Sequence, residues 1–321
     1  MHKSIEEIEN WWSSFSDMMN QRKVVAEKHF SNKSWCFAFC GLQESDIDCK
    51  LNLNINVAME FRTIKQNPMY IELSEVMKDK QQVSRVAGYA DHITHELCLY
   101  SIVDDEDEYY ANSIFLAYRI IAALRIHCGL DFIVPMVANH SWSSIAALEQ
   151  DSLKIHMIED YPRAQIFDNS EALQRTDLEW LEKYFVNVLD LIWKHPSINI
   201  AIEAISLFHQ QVSLRMSVIA LWAGIEAIFG ITSELRYRLA IEIAAYLEVD
   251  NKDRVNLYKK IKKMYDIRSK AVHGSNIDEK IIIEHIKETK SILRRILIKS
   301  IEANNLPSHE EFEYSVFTES I

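Results

Sequence analysis

The hydrophobic period of this chain changes once, near residue 170, and that change limits the available folds more than any motif does. Before it, apolar and polar residues alternate in "DCKLNLNINVAMEF" through Leu51, Leu53, Ile55 and Val57, and Met59 and Phe61 continue the face. A two-residue period belongs to a half-buried strand. "SWCFAF", "HELCLYSIV", "DFIVPMVA" and "LKIHMIED" have the same character over shorter spans. Two helices are predicted among them. One covers residues 3 to 29, where Ile5, Ile8, Trp12, Phe15, Met18 and Met19 recur at helical spacing. The other is "ANSIFLAYRIIAALRIHCG", closed by Gly129. The acidic run "DDEDE" at 104 to 108 reads as a solvated loop before this second helix.

After "YPRAQIFDNS" the strand signals stop and helical segments follow one another to a last helix from about Asp278 to Asn304. Local chemistry punctuates them: Pro196 stops one, Gly230 another, and Thr232 or Ser233 with acidic Glu234 starts the next. The expected fold class is therefore mainly α. An α+β domain over residues 1–170 precedes an all-helical bundle over residues 171–321. No repeat or low-complexity linker marks the join, so the boundary rests on the change of period.

Composition narrows the function classes. Apolar residues make up 48% and charged residues 26%, a globular balance, and "FLAYRIIAALRIHCGL" is interrupted by Arg119 and Arg125, so no membrane span is expected. The start lacks the layout of a secretory signal, and the five cysteines are too few for a disulfide framework, which together point to the cytoplasm. The net charge of −12 is unevenly spread. Residues 251–300 hold 14 Lys and Arg against 6 Asp and Glu, a net +8, while the rest has 21 against 41, a net −20. Such a basic stretch can attract a polyanion while the acidic remainder suppresses indiscriminate adhesion.

Several chemistries find no support. The six glycines form no phosphate-cradling loop, and no G-x-S-x-G elbow is present. His92, His95 and Cys98 would align as metal ligands on a helix, but their segment alternates like a strand and no second ligand pair stands nearby. Cys36, Cys40 and Cys49 lack paired C-x-x-C knuckles. No metal and no cofactor is expected.

The basic stretch contains "YDIRSKAVHG", residues 265–274. The helix leading into it carries apolar residues at Leu257, Ile261, Met264, Ile267 and Ala271, which places Arg268 and His273 on its final turns, with Gly274 as the residue beyond its end. Five positions turn an α-helix through about 500°, so the two side chains lie roughly 140° apart. They cannot converge on one small ligand from a regular helix. Either the helix loosens at His273 or another surface completes the site. Arg and His also suit a helix C-terminus on dipole grounds, so spacing alone leaves a capping role open beside a chemical one.

"YDIRSKAVHG", the upstream "LWAGIEAIFG" and the following "SELRYRLAIEIAAYL", with Glu226 inside a hydrophobic helix and basic Arg236 and Arg238, resemble the HEPN superfamily over roughly residues 175 to 302. The likeness is greatest to its Apea-like branch, found among prokaryotic antiviral proteins. What the resemblance implies is a metal-independent endoribonuclease acting in antiphage defence, abortive infection or as a toxin, in which two copies of the motif face each other across a homodimer. A non-catalytic HEPN scaffold for dimerisation or RNA binding is the alternative. The residue types suit the chemistry. RNA supplies its own nucleophile in the 2′-hydroxyl. A histidine can take that proton or protonate the departing 5′-oxygen, and an arginine can hold the phosphate. His273 is then the general acid or base and Arg268 the phosphate clamp. Ser269 orients a phosphate oxygen, and Glu226 either positions Arg268 or stabilises its own helix. Lys262, Lys263 and Lys270 are candidates for the RNA backbone or belong to a solvated face, and Asp266 pairs with a nearby Lys or Arg. Some HEPN toxins carry a tyrosine shortly after the histidine for neutralisation by modification; "HGSNIDEK" offers none. A toxic nuclease needs restraint, so residues 1–170 are expected to regulate it, through a phage-derived trigger or an inhibitory partner.

Overall fold

A computed structural model describes residues 5–29, 34–43, 45–100, 106–160, 172–231 and 234–308. It separates into two compact units. The first comprises Met1–Ala117, Phe132–Asp160 and Asn169–Gln174; the second comprises Tyr118–Asp131, Tyr161–Asp168 and Arg175–Ile321. The helical unit thus takes in a segment, residues 118–131, from within the first 170 residues.

The first unit is built on a six-stranded sheet whose neighbours all run antiparallel. Its strands are β1 (Ser34–Cys40), β2 (Cys49–Leu51), β3 (Ala58–Thr63), β4 (Ile93–Tyr100), β5 (Ile133–Ala138) and β6 (Ile155–Met157), in the order β2-β3-β4-β1-β5-β6. Central β1 is buried along its whole length, so its alternation is lost and both faces are apolar. On one face Cys36, Ala38, Cys98 and Met136 share a core with Leu73 and Val76 of α2 (Tyr70–Val76), Val83 and Val86 of α3 (Val83–Ala90), and Trp142. The Trp142 indole donates to the Cys36 carbonyl at 3.0 Å. The other face holds Phe39 between Phe61 and Phe132, ring centroids 5.2 and 5.1 Å away. The unit also contains α1 (Ile5–Glu27), whose described side chains are mostly exposed.

Two expectations are corrected. The alternation from Leu51 to Val57 is not one strand: β2 ends at Leu51 and β3 begins at Ala58, and the two form a hairpin with Leu51 opposite Met59. Its polar positions are all asparagines. The Asn52 side chain accepts from the Asn54 backbone N–H, and Asn54 takes a φ of +55°, a conformation asparagine tolerates. Of the acidic run, Asp104 and Asp105 lie outside the described residues, while Glu106, Asp107 and Glu108 open α4 (Glu106–Cys128) instead of a loop. Acidic residues are favoured at a helix N-terminus by the dipole.

The second unit is helical. After the end of α4 come α5 (Arg175–Lys194), α6 (Pro196–Leu207), α7 (Leu214–Phe229), α8 (Leu235–Leu247), α9 (Asn251–Val272) and α10 (Glu279–Ala303). Pro196 both ends α5 and occupies the first turn of α6, where its missing N–H costs nothing. Gly230 closes α7 at a φ of +62°. Thr232 and Ser233 lie outside the described residues, and Glu234 stands at the start of α8. Asp278 caps α10 through its side chain, and Asn304 ends it in the left-handed region. On α10 the buried positions Ile282, His285, Ile286, Thr289, Ile292, Leu293, Ile296 and Leu297 repeat every three or four residues. That seam is what a helix at the centre of a bundle needs. Lys290 and Arg294 of the same helix grip the end of α4 and the turn after it, through the Gly129 carbonyl at 2.8 Å and the Ile126 carbonyl at 2.6 Å. No helix among the described residues is long and apolar enough to cross a membrane.

Close packing of α6, α7 and α10 meets at Gly224. A Cβ built there would stand 2.9 Å from the Ala204 Cβ and 3.2 Å from a Leu293 methyl. Replacing glycine by alanine in a helix ordinarily stabilises by about 1 kcal/mol, whereas overpacking costs about 1–3 kcal/mol. Overpacking wins here because Ala204 has no side chain to swing aside. Gly224→Ala is expected to lower the urea midpoint; a midpoint raised as in an ordinary helix would refute this packing.

Candidate functional site

Arg268 lies on α9 and Glu226 on α7, and the structure brings them together. Arg268 Nη2 is 3.0 Å from Glu226 Oε1 and donates to Oε2 at 3.3 Å. Both side chains are about one-fifth exposed, at 22% and 21%. The contact follows from helical spacing. On α7, Trp222 and Glu226 are four apart and share a face, and on α9 Tyr265 and Arg268 are three apart and share another. The facing pairs interlock: Trp222 meets Tyr265 edge to face at 5.4 Å, and the Arg268 guanidinium carbon sits 5.3 Å above the Tyr265 ring. Burial raises the Glu226 carboxyl above its ordinary pKa, and the Arg268 charge and hydrogen bond draw it partly back. Burial likewise raises the Tyr265 phenol, opposed by Arg268. Arg268 Nε is enclosed without an acceptor among the described residues, so its carboxylate does not take up every donor of the guanidinium.

His273 stands at the end of α9 with φ −85° and ψ 10°, and its side chain is exposed. Its backbone N–H still donates to the Ser269 carbonyl at 3.0 Å, so the helix does not loosen before it. Beyond it Gly274, at a φ of +72°, donates to the Ala271 carbonyl and Ser275 to the Lys270 carbonyl. That pair of bonds is a Schellman cap, which requires a left-handed residue where Gly274 sits. Of the two ways to reconcile Arg268 with His273, loosening of the helix is therefore excluded. The divergence of roughly 140° stands.

One contributor escapes sequence reasoning. Arg215, at the start of α7, donates to the Ala271 carbonyl at 3.2 Å and to the Ser275 carbonyl at 2.6 Å, clamping the turn that carries His273. Nothing local to "SLRMS" signals this, because its partners lie 56 and 60 residues away. Ser269 is half-buried and Lys263 and Lys270 are exposed, none with a side-chain partner among the described residues. Lys262 donates to the Tyr258 hydroxyl at 3.1 Å and lies over that ring. Asp266 is held by a two-pronged pair with Arg236, at 2.7 and 2.8 Å, on an exposed surface.

The metal question resolves by register. His95 is buried and bonds Ser45 and Thr94, and His92 sits in the turn before β4, so neither joins Cys98. Cys98 instead faces Cys36 directly across the β1–β4 ladder, with Glu96 beside them, all three fully enclosed. The two sulfurs are 2.9 Å apart. Two thiolates on one tetrahedral zinc at about 2.3 Å each would stand about 3.8 Å apart. Glu96 is already occupied by the Ser141 hydroxyl at 2.6 Å and the Trp142 N–H at 2.8 Å. Burial raises the Cys98 thiol, and it raises the Glu96 carboxyl against the opposing hydrogen bonds from Ser141 and Trp142. Cys36, Glu96 and Cys98 form a closely packed cluster with no access to solvent.

No family model, no curated protein and no solved structure matches the chain.

Trp222 Nε1 donates to His285 Nε2 at 3.0 Å, fixing a neutral imidazole whose Nδ1 is buried without a partner among the described residues. Burial pushes the His285 pKa down to about 4, and burial with the Arg125 and Lys290 charges pushes His209 down to about 3. A histidine held below its unfolded value near 6.5 supports the fold fully above that pH, and the support is lost as pH falls towards the folded value. Between pH 7.5 and 5 the urea stability is expected to drop by about 1–2 kcal/mol for each buried imidazole, less steeply in His285→Gln. Equal midpoints at both pH values would contradict the neutral Trp222–His285 pair.

Proposed function

We propose that the chain is a metal-independent endoribonuclease of the HEPN kind, cleaving RNA by attack of its own 2′-hydroxyl. The observation that carries this reading is the end of α9. There Arg268 is held by Glu226 with donor capacity left over, and His273 is presented to solvent one turn further on, on a clamped and capped turn. His273 moves the proton, either from the 2′-hydroxyl or to the leaving 5′-oxygen, and Arg268 opposes charge on the phosphorane. Ser269 and the exposed Lys263 and Lys270 border the same turns and suit the RNA backbone, as does Lys262 in the helix before them. Because the helix stays regular, Arg268 and His273 diverge, and we take a second copy to complete the cleft. A homodimer through the helical unit therefore belongs to the proposal, and light scattering that finds only monomer at high concentration would contradict it. The first unit is proposed to restrain the nuclease until a phage-derived trigger or partner acts. Antiphage defence by abortive infection in the cytoplasm is the setting this reading fits.

One observation favours a non-catalytic scaffold: Arg268 is engaged by Glu226, as a purely structural arginine would be. Incubation with labelled RNA in EDTA separates the readings. The nuclease cleaves despite the chelator, and His273→Ala lowers the rate by about 10²-fold or more, the usual worth of a positioned acid or base. Arg268→Ala abolishes cleavage as well. RNA binding with no cleavage in the wild-type chain identifies the scaffold instead.

A further inference from the structure

We propose that the first unit carries a binding site for a small, multiply charged phosphate compound, in the cleft between the end of α1 and the β2–β3 edge. This site does not depend on the ribonuclease reading. The cleft has a volume of about 360 Å3 and is lined by Lys28 and His29, which follow α1, with Asp48 and Lys50 at β2 and Glu60 and Arg62 on β3. That size lies at the lower end of the range for small-molecule sites.

The charges in the cleft do not cancel locally. Asp48 accepts from the Thr63 backbone N–H at 2.8 Å and lies 3.4 Å from Lys65. Glu60 accepts from Arg62 Nε at 2.8 Å and from the Tyr100 hydroxyl at 2.9 Å. Both carboxylates are thus turned to fixed partners. Lys50 stands directly opposite Glu60 in the β2–β3 register, yet the Glu60 bonds run to Arg62 and Tyr100 and no ion pair joins it to Lys50. Lys28 and Lys50 have no side-chain partner among the described residues. Two ammonium groups without a partner among the described residues therefore line one concavity, beside an arginine and a histidine. Burial first, then Arg62, lowers the His29 pKa, while Asp48 opposes them.

The same geometry selects the kind of anion. A planar carboxylate is best read by the two-pronged fork of an arginine, but the Arg62 fork is turned to Glu60 and Tyr100, the latter at 2.5 Å. What remains are flexible point charges, which favour high charge in a small volume over planar shape. A di- or triphosphate group fits that description better than a carboxylic acid does.

Inorganic triphosphate is the minimal probe, titrated calorimetrically into the full chain. Saturable one-to-one binding is expected. Lys28→Gln and Lys50→Gln are each expected to weaken it by about five-fold or more, as loss of one close charge contact should. Both lysines are exposed, so the fold should tolerate either change. Lys78→Gln removes the same charge from an exposed position of the same unit outside the cleft and should leave the affinity within about two-fold. Citrate should bind about ten-fold more weakly than triphosphate. Absence of saturable binding, equal weakening by Lys78→Gln, or citrate binding as tight as triphosphate would overturn the proposal.

Discussion

A half-buried guanidinium on the last turns of α9 needs acceptors in place of the water it loses, and Arg268 finds a carboxylate on a neighbouring helix. Glu226 supplies the carboxylate from α7, at 3.0 Å. Its burial is unfavourable, as its raised pKa shows, and the opposing charge of Arg268 offsets part of that cost. The pair holds two helices in one register. Tyr265 and Trp222 then meet edge to face, and Trp222 reaches His285 on α10. Three helices are thereby connected through one polar and aromatic layer, and the layer ends at the surface where α9 ends.

What α9 does at its end is set by backbone chemistry. A Schellman cap needs a left-handed residue, Gly274 provides it, and Arg215 satisfies two carbonyls of the turn. His273 is thus carried on a rigid support while its imidazole stays in solvent. The arrangement gives the proposed nuclease an exposed imidazole and, just over one turn before it, a half-buried cation. On that proposal a second copy completes the cleft, since a regular helix cannot turn both groups to one side.

The parts of this structure legible in the sequence are those governed by neighbours along the chain. Pro196, Gly230, Gly274, Asp278 and Asn304 act within a turn of themselves, and each stands at a helix end. The amphipathic period of α10 likewise announces its buried seam. Legibility fails where distant partners decide. The alternation of Leu51 to Val57 suited a strand, but three asparagines preferred a turn, and the hairpin it joins depends on pairing with β4. The short α2 and α3 lack the length for a clear period, and α2 starts at Met69 instead of a polar cap. Within the candidate site, the Glu226–Arg268 contact was one of two readings that helix order allowed. Arg215 and the Cys36–Cys98 pairing needed coordinates, because their partners lie 56 or more residues away.

The central claim is that the substrate's own 2′-hydroxyl is the nucleophile and that no metal-bound water takes part. The direct measurement compares an RNA cleaved at one position with the same strand carrying a 2′-deoxy sugar at that position, with the ends of the products determined by mass spectrometry. The account predicts a 2′,3′-cyclic phosphate and a 5′-hydroxyl from the RNA and no cleavage of the deoxy strand. A 5′-phosphate product, or equal cleavage of the deoxy strand, would contradict it.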